Sequence, residues 1–151
     1  EEGCKNQTDD YDEVLDEYAQ SVKVNEGANG YRLPTEVEWE YVAKGGENYK
    51  YAGSDDLNEV GWYNKNSGSK THGVGQKKSN GYGLYDMSGN VEEWCFDKFS
   101  NNNDSSSRTY RGGTWYDYAE DCIVSERSGN NPSLRRDDGG VRFFRSVHQD
   151  S

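Results

Sequence analysis

Residues 111–145 read RGGTWYDYAEDCIVSERSGNNPSLRRDDGGVRFFR, and both ends of this stretch have the character of framework. Arg111-Gly112-Gly113-Thr114-Trp115 and Gly140-Val141-Arg142-Phe143-Phe144-Arg145 combine turn glycines with large aromatics and with arginines long enough to reach across strands. Arg111, Arg142 and Arg145 are expected to be pinned by carboxylates or loop carbonyls, and Trp115, like Trp39, Trp62 and Trp94, to belong to the core. The middle keeps neither the two-residue alternation of a half-buried strand nor the 3.6-residue period of a helix. There stand Tyr116, Asp117, Tyr118, Asp121, Ser128, Gly129, Asn130, Asn131, Ser133, Leu134, Arg136, Asp137 and Asp138, a mixture of aromatic, acidic, amide, small and basic groups. A surface that a core does not dictate is free to be chosen for what it binds.

Upstream, the punctuation is clearer. Pro34 biases Leu33 toward an extended conformation, Thr35 can cap a helix, and Glu38 stands three residues on as the partner in a capping box. The helix so begun stops with Lys44 in its last turn and Gly45 free to take the left-handed cap. An earlier amphipathic helix is expected over residues 10–23, where Val14, Leu15, Tyr18 and Val22 form one apolar stripe with acids outside it. From Asn48 to Lys78 short aromatic pieces alternate with Gly, Ser, Asn and Asp, which predicts irregular loops held by aromatic anchors. Val91 to Phe96 reads as a buried strand. The run Ser100 to Ser107 is a polar loop with no power to pack.

Composition bounds the function classes. The chain has 151 residues, enough for one domain with one core, and only 30% of them are hydrophobic. Four Trp, twelve Tyr and four Phe must therefore supply much of the buried area. The net charge of −11 lies in the first 60 residues, which hold 16 Asp and Glu against 5 Lys and Arg, while the rest balance at 12 of each. Nothing resembles the basic stripe that phosphate recognition needs, so nucleic acid is not expected as a partner. No run is long enough to span a membrane, and a membrane role is confined to a lipid anchor, with Cys4 left unassigned. No CxxC occurs, and His72 and His148 lack zinc-ligand spacing. Cys95 and Cys122 fit either a disulfide of an exported protein or two small buried hydrophobes.

RLPTEVEWEYVAKGG, GYGLYDMSGNVEEW, YRGGTW and GVRFFRS occur in the order and spacing of the formylglycine-generating enzyme family, which the chain resembles over residues 31–146. The resemblance implies a single α+β domain of the C-type lectin type over residues 1–151, with two helices, small twisted antiparallel sheets and many loops. It also implies where chemistry would sit. The oxidases of the family hold copper with two cysteines five residues apart after RGG, and those positions fall here on Asp117 and Cys122. A carboxylate is a hard ligand and a poor substitute for a thiolate on Cu(I), so an oxidase with an altered active site is the second reading and not the first. The segment is more similar to the variable proteins of diversity-generating retroelements, in which a C-type lectin scaffold displays residues altered by adenine-directed mutagenesis. Asparagine codons in such a template yield Tyr, Asp, Ser, Gly, Leu and Arg but not Trp, Glu or Lys, and Tyr116 to Tyr118, Asp121, Ser128 to Asn131, Leu134 and Arg136 to Asp138 obey that alphabet beside Trp115, Glu120 and Glu126.

That resemblance implies a bacterial, surface-displayed or extracellular binding protein without catalysis, its variable segment spanning about residues 111–146. Its partners would be proteins on another cell or on a host surface. Tyr116 and Tyr118 would give rigid amphipathic area, and Ser128, Gly129, Asn130 and Asn131 adaptable hydrogen bonds, as in antibody paratopes. Changing such residues is expected to cost little stability. No cofactor is required, but the resemblance implies a structural calcium ion held at Asp86, Gly89, Val91 and Glu93, two carboxylates plus carbonyl oxygens being hard ligands of the kind calcium prefers.

Overall fold

The computed structural model describes residues 30–99 and 107–145. Cys4, the expected helix over 10–23 and most of the polar loop 100–107 lie outside them. Strand β1 (Tyr31–Arg32) pairs antiparallel with the terminal strand β6 (Phe144–Arg145), Tyr31 opposite Arg145. Helix α1 (Glu36–Lys44) follows with the predicted punctuation. The Glu38 N–H donates to Thr35 Oγ1 at 3.2 Å and the Thr35 N–H to Glu38 Oε2 at 2.8 Å, which satisfies two donors that a helix start leaves without partners. Gly45 closes the helix in the left-handed region at φ 61°. Arg32 grips both oxygens of Glu38 at 2.7 Å, tying β1 to α1 and holding the Glu38 carboxyl down at about 2.

One face of α1 buries Trp39 and Ala43 in a core cluster with Ala52, Met87, Cys95 and Val124. A second cluster joins Tyr51, Leu57, Val60, Tyr63 and Cys122. The aromatic anchors expected between residues 48 and 78 are therefore present as Tyr51 and Tyr63. They share this cluster with α2 (Leu57–Val60), a single turn capped by the Asp56 side chain. One turn is too short for periodicity to register in the sequence. Cys95 and Cys122 are free thiols in separate clusters, and burial pushes both up to about 12. Of the two roles open to them, that of small buried hydrophobes holds.

The main sheet has the order β4-β3-β2-β5. It contains β2 (Glu92–Lys98), β3 (Arg108–Arg111), β4 (Arg127–Asn130) and β5 (Gly139–Gly140). The pairs β2–β3 and β3–β4 are antiparallel, but β5 runs parallel to β2 with Gly139 opposite Glu92. The sheet is thus mixed where antiparallel pairing was expected. Residues 131–138 carry the chain from one edge to the other, and a connection of that kind, unlike a hairpin, can return a strand in the same direction. The strand expected over Val91 to Phe96 starts at Glu92, and its first two residues are buried carboxylates. Successive strand side chains point to opposite faces, so Glu92 and Glu93 serve different neighbourhoods.

Arg111 and Arg142 are pinned as anticipated. Arg111, 2% exposed, donates to Glu36, Glu40 and the Val124 carbonyl, each at 2.7 Å. Arg142 holds both oxygens of Glu93 at 2.7 and 2.9 Å and also donates to the Tyr85 carbonyl. Trp39 is fully buried, whereas Trp62, Trp94 and Trp115 are only half-buried.

Candidate ligand-binding surface

The loop that leaves β3 is folded back by its two glycines. Gly112 and Gly113 have φ of 101° and 71°, and a Cβ at Gly113 would lie 2.8 Å from both the Asp121 carbonyl and Cys122 Sγ. Only glycine combines that conformation with so close an approach. Beyond the turn, Asp117 Oδ2 accepts the Thr114 N–H at 2.9 Å and Asp121 Oδ2 accepts the Tyr118 N–H at 3.2 Å. A 3-10 turn at Ala119–Cys122 then plants Cys122 in the core. These bonds fix the backbone and leave Tyr116 at 44% and Tyr118 at 67% exposure. The Trp115 ring supports Tyr116 edge-on at 5.0 Å.

Behind Tyr116 lies a polar network built from three elements. Its hydroxyl donates to Asp138 Oδ2 at 2.5 Å. Arg136 places its guanidinium on the same carboxylate, Nε on Oδ1 at 2.7 Å and Nη2 on Oδ2, with Nη2 also 3.2 Å from the Tyr116 hydroxyl and 3.7 Å from Glu92 Oε2. Glu92 Oε1 accepts the Ser128 hydroxyl at 2.5 Å, and the Glu92 N–H donates to the Asp138 carbonyl at 2.9 Å. Arg136 holds the Asp138 carboxyl below its usual range, and Asp138 in turn pushes the Tyr116 hydroxyl up to about 12. Burial raises Glu92, and the Asp117 and Asp138 charges add to that against Ser128 and Arg136.

A cavity of about 200 Å³ opens beside this network, lined by Glu92, Asp117, Asp121, Glu126, Arg127 and Ser128 among others. It unites Asp117, Asp121 and Ser128 from different parts of the quoted stretch. Asn131 Oδ1 accepts from both the N–H and the hydroxyl of Ser133 at 2.9 Å, forming a turn that leaves Leu134 53% exposed. Asn130 is half-buried and Asp137 exposed. Two expected display residues depart from the reading. Asp138 is 2% exposed and belongs to the supporting network. Gly129 packs under Phe99, where a Cβ would approach the ring to 2.1 Å. Glu92 was not anticipated, because it stands in a motif of framework character; the adjacent acids Glu92-Glu93 at a strand start, facing opposite ways, were the available signal.

The two positions matched to the copper cysteines hold Asp117 and a fully buried Cys122 whose thiol stays protonated at neutral pH. One carboxylate and one protonated, enclosed thiol form a poor Cu(I) site. Among the described residues no group of three or more His, Cys, Asp or Glu could hold a metal. The corner matched to calcium is different. Asp86, in the left-handed region at φ 56°, accepts the Gly75 N–H through Oδ2 at 2.7 Å, while Oδ1 is buried with no partner. A partnerless buried carboxylate oxygen is costly and fits a cation. Glu93 meets this requirement less fully than expected, because Arg142 and the Trp39 Nε1–H already occupy its oxygens.

Residues 9–147 match the family model described as the sulfatase-modifying factor enzyme 1-like domain. The chain belongs to this family. Treponema denticola variable protein 1 superposes on it with a TM-score of 0.77 at 41% sequence identity, covering 82% of this chain and 50% of that one. The chaperone protein LppX of Paenibacillus barcinonensis is 39% identical over 148 residues, 83% of this chain and 53% of that protein. Inactive C-alpha-formylglycine-generating enzyme 2 of Bos taurus is 36% identical over 131 residues, 75% of this chain and 43% of that protein. The chain spans about half the length of these relatives. Among its described residues no helix is long and apolar enough to cross a membrane.

Proposed function

We propose that this member of the sulfatase-modifying factor family is a non-catalytic binding protein, displayed at a bacterial cell surface through a lipid anchor, whose segment 111–146 is diversified by a retroelement. The observation that carries the reading is the contrast within one loop. Gly112, Gly113, Thr114 and Cys122 are buried, while Tyr116 and Tyr118 between them project outward on a backbone already fixed by its own hydrogen bonds. Pre-ordered aromatic side chains lose little entropy on binding, so such a loop serves recognition well. Likeness to a variable protein, to an inactive enzyme homologue and to a chaperone is compatible with binding without conversion, with a protein as ligand.

The cavity lining sets Glu92, Asp117, Asp121 and Glu126 against Arg111 and Arg127, whose charges are already met by Glu36 and Glu40, so the surface favours a protein ligand that presents basic groups. A calcium ion held by Asp86 and the Gly89 and Val91 carbonyls, sharing Glu93 with Arg142, would stiffen the corner before β2 and take no part in recognition. The competing reading, an oxidase with altered chemistry, is tested by anaerobic Cu(I) titration and by oxygen uptake with a cysteine-containing peptide. Neither tight copper binding nor oxygen uptake is expected. Oxygen uptake that disappears in a folded Cys122→Ser variant would overturn the binding reading.

A further inference from the structure

The displayed residues are not independent of one another. Tyr116, Ser128 and Arg136 come from three separate segments, yet all three end on two buried carboxylates. Asp138 takes the Tyr116 hydroxyl and the Arg136 fork, and Glu92 takes the Ser128 hydroxyl with Arg136 Nη2 at 3.7 Å. The two carboxylates are themselves joined by the Glu92 N–H to Asp138 carbonyl bond that starts the β2–β5 pairing. Asp138 is 2% exposed and lies behind the cavity, while Glu92, 9% exposed, only lines its inner wall. Buried polar groups with complete partners hold their neighbours in one geometry.

We infer that Glu92 and Asp138 are positioning residues for specificity: they seat Tyr116, Ser128 and Arg136 as one unit, so that a ligand meets the ring of Tyr116 and not its hydroxyl. This rests on residues 116–138 being the displayed surface, but the seat exists or fails independently of any ligand. Two consequences distinguish it from ordinary packing. The hydroxyl of Tyr116 is committed inward, so Tyr116→Phe preserves the ring while removing two bonds from the seat, the one to Asp138 and the one from Arg136. Arg136 has its charge met from below and is oriented by it, so its reach toward a ligand depends on Asp138, a buried residue outside the cavity.

The test is the titration of Tyr116 itself, followed in the full chain by NMR of a ring label assigned through Tyr116→Phe. The wild type is expected to ionise near pH 12, about a hundredfold less acidic than a free tyrosine near 10. Asp138→Asn, chosen to keep the side-chain shape, is expected to bring that value back toward 10, while Asp137→Asn leaves it unchanged. In Glu92→Gln the Arg136 guanidinium signals are expected to broaden or move while Tyr116 stays near 12. If Tyr116 titrates near 10 in the wild type, or if Asp138→Asn and Asp137→Asn behave alike, there is no seat. Should Asp138→Asn fail to fold, Tyr116→Phe carries the decision: a shift of the Arg136 Nε signal supports the seat, and an unmoved signal refutes it.

Discussion

Replacing Asp138 by alanine separates a supporting residue from a displayed one. The substitution removes the acceptor of two Arg136 bonds and of the Tyr116 hydroxyl, in a side chain 3% exposed. Breaking a fully buried pair by deleting one partner costs about 3–5 kcal/mol, because the other charge stays uncompensated. Arg136 keeps 26% of its side chain in solvent and has Glu92 nearby, so part of that charge is re-solvated. Allowing for that, and adding about 1 kcal/mol for the Tyr116 hydrogen bond, gives about 2–4 kcal/mol. For a domain of this size that corresponds to a fall of about 5–15 °C in Tm. The assay is urea unfolding at neutral pH, read beside Asp137→Ala. Asp137 is exposed, and its loss is expected to stay within about 0.5 kcal/mol. Equal midpoints for the two variants would refute the buried network and return Asp138 to the displayed set.

Other outcomes follow from the same geometry. Gly129→Ala places a methyl against the Phe99 ring and is expected to cost about 1–3 kcal/mol in urea unfolding, whereas Leu134→Ala, at an exposed turn, is nearly neutral. Glu38, held at about 2 by Arg32 and the capping box, has a folded pKa below its unfolded value. Its contribution is therefore complete above the ordinary carboxylate range and is lost as pH falls from there toward 2; Glu38→Gln should flatten that part of the urea-midpoint profile. Cys95 and Cys122 should react with a thiol reagent only at the rate of unfolding, since both are enclosed and protonated at neutral pH. Calcium should raise the melting temperature of the wild type and not of Asp86→Asn, in which the amide keeps the Gly75 bond but loses the charge.

Much of the scaffold was legible because its signals are local. Thr35, Glu38 and Gly45 act within one helix, and Gly112-Gly113 acts within one turn, so spacing alone announced them. The exposure of Tyr116 and Tyr118 was legible for the opposite reason, both being large aromatics in a stretch without period. The neighbours Asp137 and Asp138 show where reading stops. They are chemically identical, and only the return of β5 beside β2 decides that one is buried and the other free. Gly129 likewise passes for a flexible turn residue until β3–β4 pairing brings it under Phe99. The parallel pairing of β5 and the inward face of Glu92 depend on the same long connection, whose course is set by contacts between residues distant in sequence.

The most direct measurement is to sequence the segment encoding residues 111–146 in sister isolates, together with the surrounding DNA, in search of a near-copy. A copy differing only at adenines is predicted, with changes at Tyr118, Asn130, Asn131, Ser133, Leu134 and Asp137, while Gly112, Gly113, Asp117, Asp121, Cys122 and Asp138 stay fixed. No copy and an invariant segment would contradict a diversified binding surface.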